Sequence, residues 1–235
     1  MALLLNGSTD YLTLSSALLP SLAATPFTFA CWVKLASLPG TAQAMMSLSK
    51  TAGAVNIFQE LYWDNANSKL TASAFDGTTS GPAASTATIA DTTSWHHCCG
   101  VFTSSSSRAV YLDGAAVSSA VAVVTSATVL GLGVSFAGTA TPISLMNGSI
   151  ALPCIWNIAL TQSDVSALIG GGPGGRGTDP RNIQPNAVIS FSPLKAAPYM
   201  DIVSGYKWTV AGSPAQVADP FNILHQPITH GGLAE

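Results

Sequence analysis

The sequence predicts an all-β fold, a two-sheet antiparallel sandwich, and three observations carry that expectation. Short runs of β character follow one another between turn signals, helical periodicity is almost absent, and an Asp-Gly pair separates two alternating runs. A chain of 235 residues suits one all-β domain and can bury a sizeable core without a metal or a disulfide.

The first run is Tyr11–Leu14. The next, Phe27 to Lys34, places Phe27, Phe29, Cys31 and Val33 on one face and Thr28, Ala30, Trp32 and Lys34 on the other. That pattern predicts a strand between a core and a less buried side. Runs at Met45–Ser49, Asn56–Tyr62, Lys69–Phe75 and Ala87–Ile89 follow, linked by polar loops at 64–68 and 76–79. Within 108–117, Asp113-Gly114 predicts a two-residue type I′ hairpin, because both central residues take positive φ. The turn accounts for Asp113 without a metal.

One short helix is expected near 162–169, directly after a strand from Ser149 to Ile158. Thr161-Gln162-Ser163-Asp164 is a capping-box variant, Val165, Leu168 and Ile169 form one apolar stripe, and Gly170 supplies a left-handed stop. The glycine-rich stretch that begins the connector 170–186 lacks Gly-Lys-Ser/Thr and no helix follows it, so it is no phosphate loop. Strand character resumes at Ala187–Phe191 and at Trp208–Val210. These closing strands, within 187–218, have too few apolar runs for a core of their own and are expected to complete one domain spanning 1–235. Residues 219–235 read as a tail.

Only 8% of residues are charged, against roughly 25% in an ordinary soluble protein. Eight Lys plus Arg are scattered singly and the net charge is −3, which excludes the clustered basic footprint of a nucleic-acid binder. So weakly charged a surface suits a protein packed against neighbours. The start has no basic n-region and too short an apolar run for a signal peptide, and nothing approaches the roughly 20 apolar residues of a membrane span. The chain is therefore expected to fold in a reducing cytoplasm. Cys98 and Cys99 are adjacent and would point to opposite faces of a strand, while Cys31 and Cys154 sit in apolar runs and read as small core residues.

Several segments resemble a known family. Leu5-Asn6-Gly7-Ser8-Thr9-Asp10-Tyr11-Leu12 resembles the opening strand of laminin-G-like jelly rolls of the concanavalin A-like type. Phe27 to Lys34 is similar to that family's FT-x-x-x-W-V-K strand, and Trp95-His96-His97-Cys98-Cys99-Gly100-Val101-Phe102 to its WHH-x-x-G-V signature. Gly148-Ser149-Ile150 with Ile155-Trp156-Asn157-Ile158-Ala159-Leu160-Thr161 matches its closing element. The likeness covers residues 1 to about 170 and is looser from Ala187 to Pro220, where it resembles laminin-G-like proteins of phages and bacteria. It implies two stacked antiparallel sheets in a jelly roll and no single function, because the fold hosts lectins, glycanases, adhesion modules and virion proteins.

Retaining glycanases of this fold carry Glu-x-Asp-x-x-Glu, with carboxyl groups roughly 5 Å apart. Here the glutamates are Glu60 and Glu235, neither in such a run, so no enzyme is expected. No Gly-x-Ser-x-Gly elbow raises a serine. His96 and His97 point to opposite faces of a strand and cannot chelate one metal together. Calcium would need hard oxygen ligands from several loops, for which the candidates are Asp64, Asp76 and Asp91. A glycan platform would draw on Tyr62 and Trp63 beside Asp64 and Asn65.

An extracellular fold type without an export signal is reconciled by a bacteriophage virion, folded in the host cytoplasm and released by lysis. The leading expectation is a structural virion protein decorating the capsid, as a homo-oligomer in contact with other capsid or tail proteins. A tail containing Phe221, Ile223 and Leu224 frays unless docked, which makes those residues the candidate assembly contacts. The alternative is a carbohydrate-binding adhesin, either a tail receptor-binding protein or a bacterial surface module. No nucleic acid or membrane partner is expected.

Overall fold

The structure is a computed structural model that describes residues 1–14, 22, 25–38, 40–51, 57–85, 87–123, 128–136, 138, 140–170 and 177–220. The strands are β1 (Ala2–Asn6), β2 (Tyr11–Leu14), β3 (Phe27–Leu35), β4 (Gln43–Ser49) and β5 (Phe58–Asp64). Next come β6 (Lys69–Phe75), β7 (Ser80–Ala84), β8 (His96–Ser104), β9 (Ser107–Leu112) and β10 (Ala115–Ser119). β11 (Val129–Leu132), β12 (Asn147–Trp156), β13 (Val188–Phe191), β14 (Thr209–Ala211) and β15 (Ala215–Val217) complete the set. They form two antiparallel sheets. One runs β10-β9-β8-β3-β12-β1-β15 with β13 also against β12, and the other runs β14-β2-β11-β4-β5-β6-β7.

Alternation builds the core between the sheets. Phe27 and Phe29 of β3 meet Phe102 of β8, and Phe27 and Phe102 stack at 4.6 Å. Leu61, Trp63 and Leu70 reach the same layer from β5 and β6. The closing strands join both sheets, β13 and β15 on one and β14 on the other.

The expected hairpin is present, with φ of 50° at Asp113 and 88° at Gly114. So is the helix, α1 (Gln162–Ile169), with Thr161 and Asp164 capping each other's backbone and Gly170 left-handed at its end. Such a cap contributes about 1 kcal/mol. Three differences have physical causes. First, the outer face of β3 is buried, because Trp32 joins Val101, Trp156, Leu160, Val165 and Leu168 in a second apolar layer that α1 closes. Second, Ala87–Ile89 is not a strand. The strand is β7, where Gly81-Pro82 reads as a turn, yet an edge strand tolerates a missing N–H. Third, β1, β11 and β15 have no counterpart among the expected runs. β11 depends on Gly131, whose Cβ would lie 2.7 Å from the Val134 carbonyl oxygen. Residues 171–176 of the glycine-rich connector, and Phe221, Ile223 and Leu224, lie outside the described residues.

At one end the sheets are tied by Arg108, which points inward from β9 and is 1% exposed. Its Nη1 donates to the Gly81 carbonyl at 2.6 Å and its Nη2 to the Ser105 carbonyl at 2.9 Å. All four cysteines are free and buried. Cys98 lies in the inter-sheet core and Cys99 in the outer apolar layer. Burial pushes all four thiols up, with like-charged neighbours adding to it at Cys98 and Cys99.

Candidate functional site

The outer face of the seven-stranded sheet is divided. Over β2, β11 and β4 the chain folds back on itself along residues 133–136 and 140–146. There Ser47 Oγ donates to the Val134 carbonyl, the Phe136 amide donates to Ser49 Oγ, and Phe136 meets Tyr11 edge-on. Over β5, β6 and β7 no such cover is seen among the described residues. Phe58, Tyr62 and Phe75 are half-buried there, and Ser80 and Pro82 are exposed.

Register decides which side chains share this open half. Phe58 opposes Phe75, Glu60 opposes Ser73, Tyr62 opposes Thr71, and Asp64 opposes Lys69. The Phe58 and Phe75 rings lie 5.6 Å apart. Between these aromatics the floor is polar. Glu60 is 6% exposed, Thr71 and Ser73 are buried, and Ser135 closes the floor from the covered half. Burial raises the Glu60 carboxyl to about 7, with the Ser135 hydroxyl pulling it back. Burial first, then Asp64 and Glu60, pushes the Tyr62 phenol up. Glu60, Thr71, Ser73 and Ser135 thus place buried polar side chains under the aromatic ridge, with Ser135 bonded to Glu60 and Thr71 to Tyr62.

The pair Tyr62–Trp63 is corrected here. Neighbours on a strand face opposite ways, and Trp63 turns into the core at 2% exposure. Tyr62 remains on the outer face, and Phe58 and Phe75 replace Trp63 as its aromatic companions.

The calcium candidates are not brought together. Asp64 accepts from the Ala66 amide and Asn67, Asp76 from the Thr78 and Thr79 amides, and Asp91 from the Thr93 and Ser94 amides. Each carboxylate shapes its own turn. Hydrogen bonds from Thr79 and Thr78 hold Asp76 below its usual range, and those from Ser94 and Thr93 do the same for Asp91. Among the described residues no three His, Cys, Asp or Glu side chains gather as a metal site.

His96 and His97 do diverge. His97 is buried against Trp32, and desolvation lowers it to about 4. His96 sits at the rim, where its Nδ1 bonds Asp113 Oδ2 at 2.8 Å. That bond raises its pKa against the opposing effect of burial.

A laminin-G family model, that of the concanavalin A-like lectin/glucanases superfamily, matches residues 6–166. The chain belongs to this superfamily. Solved structures share the concanavalin A-like architecture at low identity. A candidate carbohydrate-binding protein from Bacteroides ovatus is 13% identical with a TM-score of 0.62, over 94% of this chain and 61% of that one. The sialidase CBM40 of Ruminococcus gnavus, solved with α2,3-sialyllactose, is 13% identical with a TM-score of 0.57, over 72% and 98%. A heptameric pentraxin from Limulus polyphemus is 14% identical with a TM-score of 0.55, over 89% and 93%. No curated protein sequence matches the chain.

Proposed function

We propose that this chain is a non-catalytic carbohydrate-binding domain that holds a glycan on the open half of the seven-stranded sheet. The observation that carries this reading is the ridge of Phe58, Tyr62 and Phe75 over a polar floor. Aromatic faces pack against the C–H side of sugar rings while accessible polar side chains on the same face, here Asp64 and Ser80, take their hydroxyls. Phe58 and Tyr62 are four residues apart on one strand, about 13 Å, enough for more than one ring. The glycan-binding descriptions of the Bacteroides and Ruminococcus relatives support the reading. Hydrolysis is disfavoured: Asp64 shares the face of Glu60 but stands about 13 Å along the strand, beyond the roughly 5–9.5 Å of glycosidase pairs.

On a glycan array the intact chain is expected to bind a defined subset of glycans. Tyr62→Ala and Phe75→Ala should each weaken that binding about tenfold or more while the variants stay folded. Absence of any glycan ligand, or binding untouched by both substitutions, would sink the proposal.

A second reading has its own observation. Met200, Ile202, Val203 and Tyr206 are exposed around one hairpin, on a chain with only 8% charged residues. This favours a structural protein that decorates a bacteriophage capsid, or lies at its tail, as a homo-oligomer folded in the host cytoplasm. Under this reading the chain binds empty capsids saturably without glycan, and Ile202→Ser with Val203→Ser removes that binding. Capsid binding insensitive to the pair would dismiss the hairpin as its contact.

A further inference from the structure

Tyr62, the middle of the aromatic ridge, stands between two carboxyl groups. Glu60 and Asp64 lie two residues to either side of it on β5, so both share its face, each about 7 Å along the strand. After burial, these two groups are what raises the Tyr62 phenol, so the ring sits in a negative field. Glu60 is buried and its carboxyl is raised to about 7, so near neutral pH Asp64, only half-buried, carries most of this charge. A third carboxylate, Asp76, follows Phe75 in the turn into β7, where it accepts the Thr78 and Thr79 amides.

Positive charge does not outweigh them. Lys69 is the one lysine on β5, β6 or β7, and it stands directly across from Asp64, whose charge it offsets. Lys50 lies one residue beyond β4, at the Phe58 end of the ridge. Among the described residues no arginine reaches this face. Arg108 is spent inside the sandwich on the Gly81 and Ser105 carbonyls, and Arg181 pairs with Asp179 over the Phe191 ring of the other sheet. Carboxylates and sulfates on a sugar are held by arginine forks or by lysines free of a neighbouring carboxylate. On this face they would meet Asp64, Glu60 and Asp76.

Resting on the glycan-binding reading above, we infer that the open half selects uncharged glycan chains and rejects those bearing carboxylate or sulfate groups, with Asp64 as the principal excluding charge. Like charges brought together disfavour the wrong ligand even where every stacking contact is kept. Sugar hydroxyls, by contrast, donate to a carboxylate, so the group that repels an acidic sugar also binds a neutral one.

The test is a glycan array probed with the intact chain near neutral pH, on which neutral oligosaccharides are printed beside acidic counterparts of the same linkage. Suitable pairs are a β-linked mannan oligomer with the matching mannuronate oligomer, and lacto-N-neotetraose with its sialylated form. Where the neutral member binds, its acidic counterpart is expected to bind about tenfold or more weakly. Raising sodium chloride from about 20 mM to about 500 mM should narrow that gap severalfold, because exposed charges are screened. Asp64→Asn, which keeps an acceptor for the Ala66 amide, should narrow it as well. A thermal melt checks that this variant is folded, and if it is not, the salt series decides alone. Equal or stronger binding of the acidic members overturns the selectivity while leaving the glycan face standing. A gap unmoved by salt and by Asp64→Asn overturns it too, because shape and not charge would then set it. Binding of no glycan, neutral or acidic, removes the face itself and the selectivity with it.

Discussion

Glu60→Gln is expected to stabilise the fold relative to the parent at about pH 8 and to differ little from it at about pH 4. Burial lifts the carboxyl from 4.5 to about 7, so between those values the folded chain holds a proton that the unfolded chain has released. A group raised in this way contributes its stability fully below its unfolded pKa and loses it as pH rises through the folded one. The loss in the parent is about 3 kcal/mol, to order of magnitude. Glutamine keeps the volume and the polar contacts without a charge to desolvate. Urea melts at the two pH values measure the difference. A stability gap between variant and parent that stays constant with pH would show that Glu60 is not held neutral by its surroundings.

Truncating Arg108 to alanine is expected to cost about 4 kcal/mol, from two lost charge-assisted bonds and the cavity left behind. The guanidinium makes no ion pair among the described residues. Its hold is on two backbone carbonyls, one in each part of the sandwich end. Gly81→Ala attacks the same contact from the other side, since a Cβ there would lie 1.9 Å from Arg108 Nη1. Because both changes break one strut, the double variant should be destabilised by less than the sum of the two. A loss below about 1 kcal/mol in Arg108→Ala would mean that the sheets are held by apolar packing alone.

How far the sequence revealed these features depends on whether they are local. The Asp113-Gly114 hairpin and the Thr161–Gly170 helix limits are set by nearest neighbours, and both appear as expected. Strand alternation already separates Tyr62 from Trp63, yet the platform paired them as sequence neighbours. The Phe58–Phe75 contact needs the register of β5 on β6, which periodicity does not specify. Burial of Glu60 is further from view, because it depends on a segment some seventy residues away folding back to set Ser135 beside it. Asp113 was explained by its turn, which concealed that the turn also aims its carboxylate at His96.

The second apolar layer over the eight-stranded sheet has a consequence for molecular engineering. The central strands of that sheet, β3, β8 and β12, are dry on both sides, so substitutions along them are constrained twice. The open half of the other sheet is constrained only from beneath. Phe58, Tyr62, Lys69, Phe75, Ser80 and Pro82 alternate with core positions and can be diversified together while the inward set is held fixed. The domain is thereby laid out as a scaffold with one variable panel, where new ligand preferences can be selected without redesigning what keeps the chain folded.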